Sequence, residues 1–230
     1  MKLCVIPARG GSKRIPKKNI KHFHGKPIIA YSIEVAKEAQ CFDRIIVSTD
    51  DNEIKKIAEE FGAEVPFMRP KELSDDFTGT GEVIEHAITW LRKNNQHFDY
   101  VCTIYATAPL LQKKYLLEGL RVLKSSNASM TFSVVSFPSP IQRAFKITNQ
   151  NRCEMLWAEN FFKRSQDLEE TYHDAAQFYW QDIHNKSTDI AFGKNSGPII
   201  LPRYLVQDID TDEDWRRAEL LYRACQEIEI

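Results

Sequence analysis

Leu3, Cys4, Val5 and Ile6 run without a polar interruption into Pro7, and this short run constrains the fold more than any other feature of the chain. A strand that is apolar on both faces must be covered on both faces, as parallel strands packed between helices are. Pro7 has no N–H with which to continue a ladder, so a loop must follow. The same rhythm recurs downstream. Ile28, Ile29, Ser32, Val35, Ala36 and Ala39 repeat at helical spacing behind Pro27, which suits a first helical position. Arg44 to Ser48 reads as a second buried strand. Ile54, Ile57, Ala58 and Phe61 then line a helix that Gly62 can close, and a third short strand is expected near Glu64 to Phe67. Strand and helix alternating in this way predict an α/β fold: a doubly wound, mostly parallel sheet in three α/β/α layers, with its ligand at the carboxyl ends of the strands.

Later segments extend the pattern. Helical periodicity returns at Val83, Ile84, Ala87, Ile88 and Leu91, at Leu116, Leu117, Leu120 and Leu123, and at Trp215, Ala218, Leu221, Tyr222 and Cys225. Strands are expected at Asp99 to Ile104, Met130 to Val135, Asp174 to Trp180 and Ser196 to Leu201. Residues 136–172 break the rhythm with Pro138, Pro140 and a polar run from Glu159 to Thr171, and read as an arm inserted into a single domain spanning 1–230. A surface hairpin is the plainer reading of that insertion. Lys plus Arg total 31 against 32 Asp plus Glu, and a net charge of −1 excludes the basic footprint of a nucleic-acid binder. The 5 cysteines are scattered without a C-x-x-C, which disfavours a zinc site and suggests reduced core thiols. No apolar run approaches the ~18 residues of a membrane span and no secretory h-region is evident, so the expected compartment is the cytoplasm.

Three stretches carry chemistry. The loop after the first strand holds Gly10, Gly11 and Ser12, whose backbone can approach a ligand closely, among Arg9, Lys13, Arg14, Lys17 and Lys18. A polyphosphate is its natural guest, although a solvated basic turn has the same composition. Neither G-x-x-x-x-G-K-[ST] nor G-x-G-x-x-G is present there. The polar stretch from Arg69 to Gly81 is a long loop of functional type, or else a helix start capped by Thr80. Asp208 and Asp210 flank Ile209 and project to one side of an extended segment, a pair that suits Mg2+ shared with substrate phosphates. Thr211 to Asp214 makes the same stretch read equally as an acidic helix start. In the Asp174–Trp180 strand, Phe178 and Trp180 suit the core, while Gln177 and Tyr179 alternate to the other face.

The string P-A-R-G-G-S-K-R-I-P-x-K-N-I, from Pro7 to Ile20, resembles the signature of the cytidylyltransferases that activate sialic-acid-like nonulosonic acids, nucleotidyltransferases with a Rossmann-like sheet. The resemblance implies that Arg9, Gly10, Gly11, Ser12, Lys13, Lys18 and Asn19 surround the CTP nucleotide, and that Arg69, Thr78 and Thr80, in matching R-P and D-x-T segments, meet its cytosine and ribose. It implies Mg2+ on Asp208 and Asp210, with these two and Arg9 and Lys13 as the catalytic set. Lys163 to Leu168 resembles an R-R-Q-D segment on an arm that packs against a second subunit. The implied assembly is therefore a homodimer exchanging arms, with Arg143 and Arg164 offered to the carboxylate of an acidic nine-carbon sugar. Gln177 and Tyr179 match a sugar-facing G-x-F/I-Y.

The family's usual Q-P-T-S-P-L-R is here Tyr105 to Leu111, with Tyr105 in place of Gln and Leu111 in place of Arg. In this the chain resembles the branch that handles pseudaminic acid. The implied reaction is attack of a sugar hydroxyl on the α-phosphate of CTP with loss of pyrophosphate. Sialic or legionaminic acid as acceptor, and a noncatalytic nucleotide-sugar sensor on the same fold, are the competing readings. No Ser-His-Asp arrangement is apparent, and His22, His24 and His173 read as surface or structural.

Overall fold

The structure, a computed structural model, describes residues 1–185 and 192–227. Strand β1 (Lys2–Pro7) buries Leu3, Cys4, Val5 and Ile6 completely. A small antiparallel ribbon, β2 (His22–Phe23) with β3 (Lys26–Pro27), then leads into α1 (Ile28–Glu38). Pro27 stands at the N-cap of α1 and not inside its first turn, because its pairing with His22 holds it extended. β4 (Arg44–Ser48) precedes α2 (Asn52–Glu60), whose N-cap Asp51 accepts the Glu53 and Ile54 amides at 2.7 and 3.0 Å. Gly62, at φ 90°, turns the chain out of α2 in the left-handed conformation expected of it. The third strand expected near Glu64 to Phe67 is reduced to isolated bridges at Glu64 and Met68 beside β4. Pro66 interrupts it, since a residue without an N–H cannot carry a ladder through the middle of a strand.

The chain continues through α3 (Thr80–Lys93), β5 (Tyr100–Ile104), α4 (Lys113–Ser125) and β6 (Met130–Ser136). The inserted stretch contains a hairpin, β7 (Phe145–Ile147) with β8 (Cys153–Met155), and 3-10 turns. β9 (Tyr172–Asp182), β10 (Ser196–Ile200) and α5 (Asp212–Glu227) complete the described elements. Thr80 is the first residue of α3 and does not cap it: Gly79 holds the N-cap, and its amide donates to the Glu82 carboxylate at 3.3 Å. Leu117 is exposed on α4, whose buried face is Tyr115, Leu116, Gly119, Leu120 and Leu123. Of the cysteines, Cys4, Cys102 and Cys225 are buried, whereas Cys153 is exposed on the hairpin. No described helix is long and apolar enough to cross a membrane.

Six strands form one sheet in the order β10-β6-β9-β5-β1-β4, parallel throughout except for β9, which runs antiparallel to both neighbours. Alternation along β1 divides the core. Cys4 and Ile6 pack with Ile29 and Ile33 of α1, Ala58 of α2 and Leu116 of α4, while Leu3 and Val5 pack with Ile84, Ala87 and Leu91 of α3. Helices thus cover both faces, which is why β1 has no polar residue between Leu3 and Ile6. A third cluster joins Ile15 of the first loop to Phe23, Ile28, Ile209 and Trp215. Through it the start of α5 is fastened to the carboxyl edge of the sheet. Because β9 is antiparallel, its first residues emerge at that same edge, beside the ends of β5 and β6.

Gly119 sits where α4 crosses β9, and a Cβ there would lie 2.8 Å from the Phe178 ring and 3.0 Å from Trp180. Overpacking of this kind costs about 1–3 kcal/mol, against about 1 kcal/mol gained in helix propensity. Gly119→Ala is therefore expected to lower the Tm by several degrees, at roughly 2–4 °C per kcal/mol for a chain of this size. Thermal unfolding followed by circular dichroism reads the shift, and an unchanged Tm would mean that the Phe178 ring yields freely.

Candidate active site

The basic loop is built by its own polar contacts. Asn19 donates its amide to the Arg9 carbonyl at 2.9 Å, closing the loop on itself, and Ile15 and Ile20 anchor it in the core. Gly10 has a role other than approach to a ligand. Its amide donates to Asp50 at 3.0 Å, and a Cβ would fall 2.8 Å from the Asp51 carboxylate that caps α2. Nothing lies within 4 Å of a Cβ built on Gly11, so the open space is in front of that residue. Arg9 and Lys13 converge on one carboxylate, Asp76: Arg9 Nη1 stands 2.8 Å from Oδ1, and Lys13 Nζ meets Oδ2. Arg9 also donates to the Asp75 carbonyl. The hydrogen bond from Lys13, and then Arg9, hold the Asp76 carboxyl below the usual range. Two cations from the first loop thus already grip an anion, the geometry that a phosphate requires.

The two readings of the Asp208 to Asp214 stretch separate in space. Thr211 Oγ1 accepts the Asp214 amide at 3.2 Å, while the Asp214 carboxylate accepts the Thr211 amide at 2.8 Å. This reciprocal box starts α5 and does not use Asp208 or the Asp210 carboxylate. Ile209 is fully buried, which turns its two neighbours away from the core. Lys18 Nζ donates to the Ile209 carbonyl at 2.5 Å and lies 3.3 Å from Asp210 Oδ1, and Arg14 donates to the same oxygen at 2.7 Å. Although Asp208 is exposed overall, partial burial of its carboxyl and then the Asp210 charge push its pKa up. A cation relieves that repulsion. Among the described residues no three His, Cys, Asp or Glu side chains are grouped to cage a metal, and the two carboxylates offer the oxygen donors that a hard divalent cation prefers.

A cleft of about 600 Å³ opens beside the basic loop, lined by Arg9, Ser12, Lys13, Arg14, Lys18 and Asn19 together with Arg69, Thr78 and Thr80, while Asp208 and Asp210 are not among its lining residues. Arg69 is only 6% exposed, and burial pulls its pKa down. It has a charge contact with Asp50 at 3.8 Å, but its Nε and Nη2 have no hydrogen-bond acceptor. Buried donors left in that state cost about 1–3 kcal/mol, a deficit that an acceptor-bearing ligand removes. Thr78 donates to Asp75 at 2.7 Å.

A second cavity of about 650 Å³ adjoins the first and crosses the sheet beside α3, and Thr80 and Tyr105 line both. Their hydroxyls lie 3.4 Å apart. In this cavity Tyr179 stacks obliquely on Tyr105, with ring centroids 5.4 Å apart, and donates to Asp174 at 2.5 Å. Gln177 does not share that position. It is buried, donates its amide to the Leu205 carbonyl at 2.5 Å, and lines neither cavity. The strand bulges between Asp174 and Tyr179, which breaks the alternation that would put Gln177 beside Tyr179. Arg143 and Arg164 also line neither cavity: Arg143 donates to the Lys163 carbonyl, and Arg164 is paired with Asp167 at 2.7 Å.

The sequence matches the cytidylyltransferase family over residues 3–207. This chain is a member of that family. It is 45% identical over 226 residues to the pseudaminic acid cytidylyltransferase of Campylobacter jejuni strain 81-176, covering 98% of this chain and 97% of the relative. It is 32% identical over 240 residues to a CMP-N,N'-diacetyllegionaminic acid synthase of Legionella pneumophila, again covering 98% and 97%. The solved structure of CMP:2-keto-3-deoxy-manno-octonic acid synthetase complexed with CTP shares the fold, at a TM-score of 0.68 and 16% identity over 97% of this chain and 98% of that one. Sequence reading of this cytidylyltransferase missed Asp50, Asp76 and Asp174 as parts of the site. It had Arg14 only as one of the loop's charges. Asp50, two residues beyond β4 at the carboxyl edge, carried a usable signal; Asp76 and Asp174 needed the tertiary contacts.

Proposed function

We propose that this cytidylyltransferase transfers CMP from CTP to pseudaminic acid, releasing pyrophosphate. The observation that carries the reading is that Arg14 and Lys18, which line the cleft, also hold Asp210, so that the carboxylate pair is tied to the phosphate-binding loop. Arg9 and Lys13 bind the β- and γ-phosphates in place of Asp76, whose exposed carboxylate is displaced at little cost. Arg69 supplies its unmatched N–H groups to the cytosine or ribose, with Thr78 and Thr80 alongside. Asp208 and Asp210 would hold Mg2+, which when bound polarises the α-phosphate and lowers the pKa of the attacking hydroxyl. The chain's own contribution is to hold acceptor and α-phosphate in line and to neutralise the departing charge, so no side-chain nucleophile is needed.

The arm supports a homodimer. Phe145, Phe161 and Phe162 are 57%, 61% and 92% exposed, more apolar surface than a short insertion presents without a partner. Arg143 and Arg164 on that arm are offered to the sugar carboxylate of the other subunit's site. CTP is a cytoplasmic substrate, and the reaction belongs in that compartment.

Tyr105 supports the choice of sugar. A Gln offers two amide donors and an acceptor, whereas Tyr offers one hydroxyl and an apolar ring. Beside it Ile84, Ile88 and Met130 add apolar lining, which suits an acceptor ending in a deoxy carbon. Polar groups left unpaired cost about 1–3 kcal/mol each, so kcat/KM should be roughly tenfold or more higher for pseudaminic acid than for N-acetylneuraminic acid. Pyrophosphate release from CTP with a panel of acid sugars measures this ratio. An equal or higher value for N-acetylneuraminic acid sinks the sugar assignment, and no release with any sugar supports the sensor reading.

A further inference from the structure

Asp174 and Tyr179 are five positions apart on β9, and in a regular strand their side chains would face opposite sides with about 17 Å between their Cα atoms. Their cross-strand partners on β6 are Val134 and Phe132, only two positions apart, or about 7 Å. The intervening residues are accommodated by a bulge in which Ala176 takes a left-handed φ of 52°. Ser133 accepts the Gln177 and Phe178 amides at 3.3 and 3.2 Å, and Asp174 Oδ1 accepts the Ala176 amide at 2.9 Å. The bulge therefore brings a carboxylate to the phenol that lines the second cavity, at the end where that cavity meets the nucleotide cleft.

The hydrogen-bond direction follows from the chemistry. An ionised carboxylate only accepts, so the Tyr179 proton is committed to Asp174 Oδ2, and the phenol oxygen has only lone pairs left to offer. Each Asp174 oxygen also has acceptor capacity beyond its one bond. On the reading that the second cavity takes the acid sugar, we propose that Asp174 is a specificity-determining residue: with Tyr179 it makes an acceptor-only wall that takes N–H and O–H donors of the sugar and turns the sugar's carboxylate away. Acylamino and hydroxyl groups face this wall, and the carboxylate lies on a side of the sugar that does not contact it. Burial, then Tyr105 and then Asp174 push the Tyr179 pKa up.

The test is steady-state pyrophosphate release by the full chain with CTP and either pseudaminic or N-acetylneuraminic acid, comparing wild type with Asp174→Asn and Tyr179→Phe. Asn retains an oxygen for the Ala176 amide, so the bulge survives, but it presents donors where the wall now accepts. The expected result for Asp174→Asn is a sugar KM raised about tenfold or more, with the CTP KM and the Tm within about twofold and a few degrees of wild type. Tyr179→Phe is expected to raise the sugar KM less, and its combination with Asp174→Asn should cost no more than the Asn change alone. A sugar KM that stays within twofold in both single variants, or a CTP KM that rises in parallel, overturns the inference. A wild type that releases no pyrophosphate with any acid sugar overturns the proposed function instead, and this inference falls with it.

Discussion

Asp210→Asn is expected to remove about 99% of turnover, ~2.7 kcal/mol in the barrier, while the chain stays folded. The loss has two sources, since Asp210 would ligate the metal and also receives Arg14 and Lys18. Asp208→Asn separates them: no described cation donates to its carboxylate, so a comparable loss there isolates the metal role. Folding should be spared in both, because the Thr211 and Asp214 box that starts α5 and the buried Ile209 are unaltered. Exposed ion pairs such as Arg14 to Asp210 contribute only about 0–1 kcal/mol to stability. The check is kcat across a Mg2+ series with a chelator control, beside circular dichroism of each variant. Near-wild-type rates in either variant at all Mg2+ concentrations would show that the carboxylate pair binds no catalytic metal.

Mixing two inactive proteins should restore activity. Lys13→Ala removes a phosphate contact from its own cleft, whereas Arg164→Ala removes a residue that, within one chain, is paired with Asp167 and lines neither cavity. If the arm completes the partner's site, a dimer with one copy of each variant has one intact site. Co-refolded mixtures, in which about half of the dimers are mixed, should approach roughly a quarter of wild-type activity. Mixtures that form heterodimers, shown by tagged pull-down, yet stay at the parents' level would mean that each protomer completes its own site. Arg164 would then be a surface residue of a simple hairpin.

The elements that rest on local periodicity were legible. β1, α1, α2 and α3 follow from apolar spacing and end signals that neighbouring residues carry; β1, α1 and α3 bury the side chains so identified, and α2 buries Ile54 and Ala58 while Ile57 and Phe61 are half-buried. The misreadings occur where a distant segment competes with the local signal. Pro27 has a helix-start sequence but is held extended by His22, and Glu64 to Phe67 has strand composition but lacks a donor at Pro66. In the site, the same division holds. The cationic character of the loop, with Arg9 and Lys13 in it, was legible from its residues, whereas Gly10 proved to be small for the sake of Asp51.

By itself the sequence determined the layered α/β fold, the cationic loop and the acidic pair, because each depends on residues within a few positions of one another. Only the tertiary structure decided how these parts meet. Arg14 and Asp210 are 196 positions apart and touch because Ile15 and Ile209 share one apolar cluster. It also decided that Asp174 joins Tyr179 while Gln177 leaves it. Side-chain direction in a strand alternates only while the ladder is regular, and here Ser133 on the neighbouring strand accepts two of the amides that fix the bulge, a contact β9 alone does not reveal.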